Sequence, residues 1–374
     1  MKLRPGNPEE AGMSSQRVRR VVDLAEGWVE QYVMPALVVL AARRGIIVVH
    51  EAFGRLRPEE DSPPLQLDTI FPLASLTKPI TATLAMILVE DGLLGLNRPV
   101  QWYIPEFVGE GKDKVMVHHL LTHTAGMNDE LEHEHAAKKK DENPPPDEAQ
   151  HLSLDEHMLH MYDAPLWKPP GVEMKYSNHG IILAGEIVER VSSMSLEDFA
   201  RERIFDPLGM KDTFYEVPGS VEHRIAADAS DTQLDVHRSR GTRACGGAHS
   251  TAMDMAIFGQ MFLNRGVYGD ARILSPASVA EMTRNQIPGI GARYGDEFFP
   301  EASWGFCWNI HGNKKDRGTL HSPETFCHGG GGRVFLWADP VYEIVGVYFS
   351  VMLEDSRNYS DLFMNAVTAA VVDV

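Results

Sequence analysis

The chain has 374 residues, with 35 Lys+Arg against 53 Asp+Glu, a formal net charge of −18 at pH 7, and 43% hydrophobic and 24% charged residues. That length buries a substantial core and, at ~100–200 residues per domain, accommodates two structural units. Nucleic-acid affinity comes mainly from Lys and Arg neutralising phosphates, so the acidic balance argues against nucleic acid and anionic membrane as partners.

Cys245, Cys307 and Cys327 are odd in number and lack CxxC spacing, which indicates neither a disulfide framework nor a zinc site. The segment MKLRPGNPEEAGMSSQRVRRVV carries charge and proline where a signal peptide needs ~7–15 apolar residues, and no run of ~18 apolar residues follows. The expectation is a cytoplasmic protein without a membrane span.

In chain order, Gln16 to Val33 carries apolar residues at helical spacing after the cap candidates Ser14 and Ser15. PALVVLAA and GIIVVHEAFG, separated by Arg43-Arg44-Gly45, read as a β-hairpin. Helices are expected over Pro79 to Asp91, Leu154 to Tyr162, His179 to Val191, Ser195 to Ile204, Ala252 to Asn264 and Pro276 to Arg284. Asp129 to His151, with its lysine and proline runs, has loop composition. GRVFLWADP and YEIVGVYFSVML read as strands, and Asp361 to Val372 as a closing helix. The predicted fold class is α/β (α+β): an antiparallel sheet built from both chain termini, flanked by helices, with a mainly helical unit inserted. The boundaries expected are 1–90 with 226–374 for the discontinuous α/β unit and 91–225 for the insert, the site lying in the cleft between them.

Three motifs carry chemistry. In Ser75-Leu76-Thr77-Lys78, Pro79 is tolerated only near a helix start, so Ser75 falls on the first turn and shares a face with Lys78 at i+3. A serine hydroxyl needs a neighbouring base, and a lysine whose pKa is lowered by desolvation serves. Tyr176-Ser177-Asn178 precedes the helix at His179; a Tyr beside a lysine passes protons, and the Asn amide binds a carbonyl or fixes the Lys. His328-Gly329-Gly330-Gly331-Gly332 leads into a strand, and a backbone N–H there completes an oxyanion hole with that of Ser75. HGGG is also the oxyanion motif of lipase-like hydrolases, but the GxSxG that must accompany it is missing.

SxxK, YxN and a His-Gly-Gly in place of Lys-Thr-Gly, in this order, resemble the serine β-lactamase and penicillin-binding-protein superfamily. The likeness is strongest to class C β-lactamases and family VIII carboxylesterases. PEEAGMSSQRVRRV, HHLLTHTAGM, DPLGMKDT and GGAHSTAMDMAIFGQMFLNRG agree with it. The resemblance implies Ser75 as acylated nucleophile, Lys78 and Tyr176 as coupled base and acid, and Ser75 with Gly331 as oxyanion hole. It further implies Asn178, His328, Gly329 and Gly330 as substrate-binding residues. His328 stands where β-lactamases place a permanently charged Lys, and Gly329 removes a hydroxyl, which tilts the expectation toward neutral esters.

The expected activity is therefore that of a serine carboxylesterase acting on a small-molecule ester, without cofactor. The alternatives are a β-lactamase or D-amino-acid peptidase using the same residues, and a catalytically silent binding protein on the same fold. Oligomeric state is open. No metal is expected: His119 and His123 fall in a structural stretch, and Glu132 to His135 lie in the polar loop without a third ligand. Gly289-Ile-Gly291 lacks the third glycine of a nucleotide-binding loop.

Overall fold

The computed structural model describes all residues except 58, 143–160, 227–242, 295–296, 314–317, 332–333, 352–358 and 374. The expected helix at Leu154 therefore lies almost wholly outside the described residues, as does Gly332.

A seven-stranded sheet organises the protein. Its strands are β1 (Arg4–Pro5), β2 (Ala36–Arg43), β3 (Ile46–Gly54), β4 (Asn309–Ile310), β5 (Phe326–Gly330), β6 (Val334–Asp339) and β7 (Ile344–Val351). Their spatial order is β1-β3-β2-β7-β6-β5-β4. The pairing of β2 with β7, from Ala36 opposite Val351 to Arg43 opposite Ile344, joins the early and late parts of the chain as expected. The sheet is antiparallel except at one edge, where the two-residue β1 runs parallel to β3, so it is mixed rather than wholly antiparallel. Arg44 and Gly45, both at positive φ (52° and 73°), make the β2–β3 turn; two such residues define the turn whose twist matches a hairpin. Arg43, expected in that turn, ends β2 instead.

Every residue of β2 is buried because both faces of the sheet are covered. Val38, Leu40 and Ala42 enter the larger core, with helices α2 (Lys78–Glu90) and α5 (Ala252–Leu263). Leu37, Val39 and Ala41 face the second core, under α1 (Ser15–Glu30) and α6 (Tyr359–Thr368). Ser14 caps α1 by accepting the Arg17 N–H. The buried Arg43 guanidinium donates to the carbonyls of Ala11, Gly12, Tyr342 and Asp373, fastening both ends of the chain to the sheet.

Asp129 to Glu142, expected as loop, is helix α3. Its composition is polar because few of its side chains are covered, and its anchors are polar too: Glu132 is buried against His179 of α4 (Asn178–Ser192), beside the fully buried Ala136. The expected helix from Ser195 is α-helical over Leu196–Ala200 and continues as a π turn over Arg201–Phe205.

Gly346 faces Trp337 across β6 and β7, and a Cβ there would lie 2.1 Å from the indole ring. Gly346→Ala is expected to destabilise the protein by about 1–3 kcal/mol through overpacking, seen as a lower calorimetric Tm; an unchanged Tm contradicts this packing.

Candidate active site

The nucleophile candidate sits on a 3-10 turn, Ala74–Thr77, that runs directly into α2. In a 3-10 turn residues i and i+3 eclipse, and Lys78 Nζ lies 2.9 Å from Ser75 Oγ. The expected first helical turn is thus the tighter form, with Lys78 as the first α-helical residue and Pro79 as the second. Ala74 has φ +44°, the left-handed region that side chains other than glycine enter at a cost. The turn is held from outside: Leu73 N–H donates to Ala248 O, and Ala248 N–H donates to Thr77 Oγ1.

The Lys78 side chain is wholly buried. Its ammonium donates to Ser75 Oγ at 2.9 Å, Asn178 Oδ1 at 2.9 Å and the Cys245 carbonyl at 2.8 Å. One turn on, Thr81 Oγ1 donates to the Ala244 carbonyl at 2.6 Å, so consecutive carbonyls of the short helix Arg243–Gly246 receive α2. Desolvation lowers the Lys78 pKa from its ordinary 10.5. An ammonium has three donors and no lone pair, and here all three are placed. Once it loses a proton, its two remaining N–H groups must stay on Asn178 Oδ1 and the Cys245 carbonyl, which only accept. The freed lone pair then faces Ser75 Oγ, the one partner with a proton to give.

Tyr176 lies beside this pair, its ring centroid 4.8 Å from Lys78 Nζ. Burial raises its pKa, and a hydrogen bond with Ser75 opposes the rise. The resting group is a phenol. Ser177, not Asn178, is the N-cap of α4: its Oγ accepts the Gly180 N–H at 3.0 Å and donates to Asp129 Oδ1 at 2.7 Å. Asp129 Oδ2 also receives the Asn178 N–H at 2.8 Å, a carboxylate on the positive end of a helix. This cap orients Asn178 toward Lys78.

The third motif forms β5 and the residue after it. A Cβ on Gly330 would lie 2.0 Å from the Leu73 carbonyl oxygen, so the strand end approaches the nucleophile turn as only glycine permits. Gly331, at φ +53°, faces Ala74. Gly329 pairs with Phe335 of β6. His328 is buried, its Nδ1 2.7 Å from the Gly329 carbonyl, and its ring stands 6.3 Å from that of Tyr176 and 5.9 Å from that of Trp304. The structure therefore brings Ser75, Lys78, Tyr176 and Asn178 together, with the glycine strand against the turn.

Sequence reasoning missed three contributors. The Cys245 carbonyl is a backbone group without a signature. Trp304 comes from a loop. His123 was dismissed with its stretch, yet it packs on Tyr176, ring centroids 4.4 Å apart. His119 and His123 do not share a helix face: the short helix Val117–Leu121 ends before His123, and His119 Nδ1 accepts the Met116 N–H. Glu132 does meet a third ligating group, since ligand atoms of Asp129, Glu132 and His179 lie within 4.8 Å of one another. They are bonded to each other, His179 Nδ1 to Glu132 Oε2 at 2.7 Å, and serve the cap of α4.

Two outcomes follow for this geometry. Lys78→Arg keeps a cation that cannot deprotonate, and is expected to lower kcat about 10³-fold; in the wild type, kcat/KM rises with pH along an acid limb centred below 10.5. Gly330→Ala, which must push β5 off Leu73, is expected to lower kcat about 100-fold. Wild-type kinetics in either variant contradict the placement.

The family model described as "Beta-lactamase" matches residues 18–366. A "Putative D-alanyl-D-alanine carboxypeptidase" of Salmonella schwarzengrund is 27% identical, over 91% of this chain and 83% of its own length. Among solved structures, a family VIII carboxylesterase superposes with TM-score 0.75 at 23% identity, covering 96% of this chain and 98% of its own. A penicillin-binding protein homolog from Caulobacter crescentus gives TM-score 0.75 at 23% identity, with 96% and 99% covered. EstCE1, "a hydrolase with promiscuous acyltransferase activity", gives 0.73 at 21%, with 96% and 99% covered.

Proposed function

The chain belongs to the beta-lactamase family, within the β-lactamase-like serine hydrolase superfamily, and we propose that it is a cofactor-free carboxylesterase working through an acyl-enzyme on Ser75. The observation that carries this reading is the buried Lys78 with its one proton-bearing partner, Ser75 Oγ, at 2.9 Å.

In acylation, neutral Lys78 takes the Ser75 proton as Oγ bonds to the ester carbonyl carbon. The carbonyl oxygen becomes an oxyanion, received by the N–H groups of Ser75 and Gly331. As the tetrahedral carbon collapses, the C–O bond to the alcohol breaks, and the proton passes from Lys78 through the Tyr176 hydroxyl to the leaving oxygen. Water then bonds to the acyl carbon as the Lys78/Tyr176 pair takes one of its protons, the C–Oγ bond breaks, and that proton passes to Ser75 Oγ, releasing the acid and free Ser75.

The preference for neutral esters rests on His328. Its imidazole is buried and bonded to the neighbouring carbonyl, where a fixed ammonium would receive a carboxylate. The reaction centre falls where β5 and Gly331 meet the turn before α2 and the start of α4, which we take as the cleft between the α/β unit and the helical insert. Three buried free thiols suit a reducing compartment, so we assign the protein to the cytoplasm. No helix among the described residues is long and apolar enough to cross a membrane.

Two substrates separate the readings. p-Nitrophenyl butyrate is expected to be hydrolysed, with an acyl adduct on Ser75 by intact mass and activity lost about 10³-fold or more in Ser75→Ala. Turnover of nitrocefin alone sinks the ester reading in favour of a β-lactam or peptide-like substrate. Failure of a fluorophosphonate to label Ser75 leaves a binding protein on this fold.

A further inference from the structure

His123 is fixed by its backbone, by one ring nitrogen and by ring packing, while its buried Nε2 has no hydrogen-bond partner among the described residues. Its backbone occupies the left-handed region at φ +57°, its N–H donates to the Leu120 carbonyl at 3.3 Å, and it is almost wholly buried. A histidine at positive φ is uncommon and must be fixed by its surroundings. Its contacts converge on one neighbour. The His123 carbonyl receives the Lys175 N–H at 2.9 Å, and its Nδ1 receives the Ser177 N–H at 3.2 Å. The N–H groups of the two residues that flank Tyr176 are therefore both tied to the same residue. Between those ties the imidazole lies against the phenol, centroids 4.4 Å apart and planes at 32°, while Trp304 stands edge-on beside both, its ring 5.4 Å from that of His123 and 6.2 Å from that of Tyr176.

We infer that His123 is a positioning residue for Tyr176, a neutral aromatic seat that fixes both the backbone and the ring of the proton-carrying tyrosine over Lys78. The inference rests on the roles given above to Ser75 and Tyr176. Three features make His suited to this place. It supplies a ring to pack on, as Phe does, and a side-chain acceptor for a buried N–H, as Asn does. It also stays uncharged: burial and the nearby Lys78 ammonium hold its pKa well below 6.5. Because Nδ1 accepts, the imidazole proton sits on Nε2. A charged group in the same seat would place a second cation beside Lys78. Tyr176 must deliver a proton over hydrogen-bond distance, and displacement of such a group by about 1 Å costs about 100-fold in rate.

A double-mutant cycle on the full chain tests this, using His123→Asn and Tyr176→Phe. Asn tolerates the left-handed backbone and keeps an acceptor but removes the ring. The readout is the second-order rate constant for fluorophosphonate labelling of Ser75, which needs no ester preference and depends on the Ser75 hydroxyl being oriented toward Lys78 by its hydrogen bond with Tyr176. His123→Asn is expected to label about 10–100-fold more slowly, and this loss is expected to shrink to within about threefold in the Tyr176→Phe background. Equal losses in both backgrounds, or labelling of His123→Asn at the wild-type rate, overturn the inference. A purely structural defect lowers the fraction of chain that labels, not the rate constant of the fraction that does. If His123→Asn does not fold, His123→Gln runs the same cycle. Wild-type protein that labels but leaves p-nitrophenyl butyrate intact sinks the ester reading while the cycle still decides the role of His123.

Discussion

The buried ammonium of Lys78 is the constraint around which the rest of the molecule is arranged. Removing a charged amine from water costs several kcal/mol even after relaxation, unless its donors are met. Here they are met by three acceptors, one local and two from distant parts of the chain: Ser75 on the preceding turn, Asn178 at the start of α4 and the Cys245 carbonyl. The folded state therefore requires α4 and the segment at Cys245 to dock against α2 together. A structure that brought only two of them would leave a buried donor unpaired, at a cost of about 1–3 kcal/mol. The proposed catalytic arrangement and the assembly of the fold are thus one requirement.

Each of those acceptors is positioned by a local device with its own physical cause. Ser75 is offered by a 3-10 turn whose entry residue is strained, and whose neighbours are laced to Ala248 on both sides. Asn178 is offered by a helix whose first N–H groups are satisfied by Ser177 and Asp129. Asp129 belongs to α3, and Glu132 from the same helix fixes His179 of α4. Helix α3 is in this way an outer support for a residue that touches Lys78. The glycine strand completes the arrangement from the sheet side, where β5 can reach Leu73 only because Gly330 has no side chain.

What the sequence disclosed follows from how local each cause is. Apolar runs such as Ala36 to Arg43 and the Ser75 to Lys78 spacing encode their outcome within a few residues, so strands and the central pair were legible. Helix α3 was not, because its stability comes from Glu132 and Ala136 meeting groups brought by the fold, while its composition resembles a solvated loop. His123 was hidden for a similar reason. Its partners Lys175 and Ser177 lie more than fifty positions away, and its signature is a backbone angle and a ring contact rather than a motif. The helix expected from His179 begins one residue earlier, at Asn178, because Ser177 takes the cap although Asn178 is as good a capping type.

The surroundings of Lys78 also bear on what substrate the proposed site is built to take. Around one ammonium the chain sets Tyr176 and His123, with Trp304 and His328 completing an aromatic wall. Charges interact strongly in such a medium because little water screens them. A second fixed cation in place of His328 would receive an anionic substrate, but it would also disfavour the ammonium that Lys78 must form, in the proposed reaction, each time Ser75 attacks. A neutral ester brings no carboxylate to offset that cost. Omitting the second cation therefore keeps Lys78 able to accept the proton in the absence of a charged substrate, and the same reasoning explains why the seat under Tyr176 is a histidine held neutral.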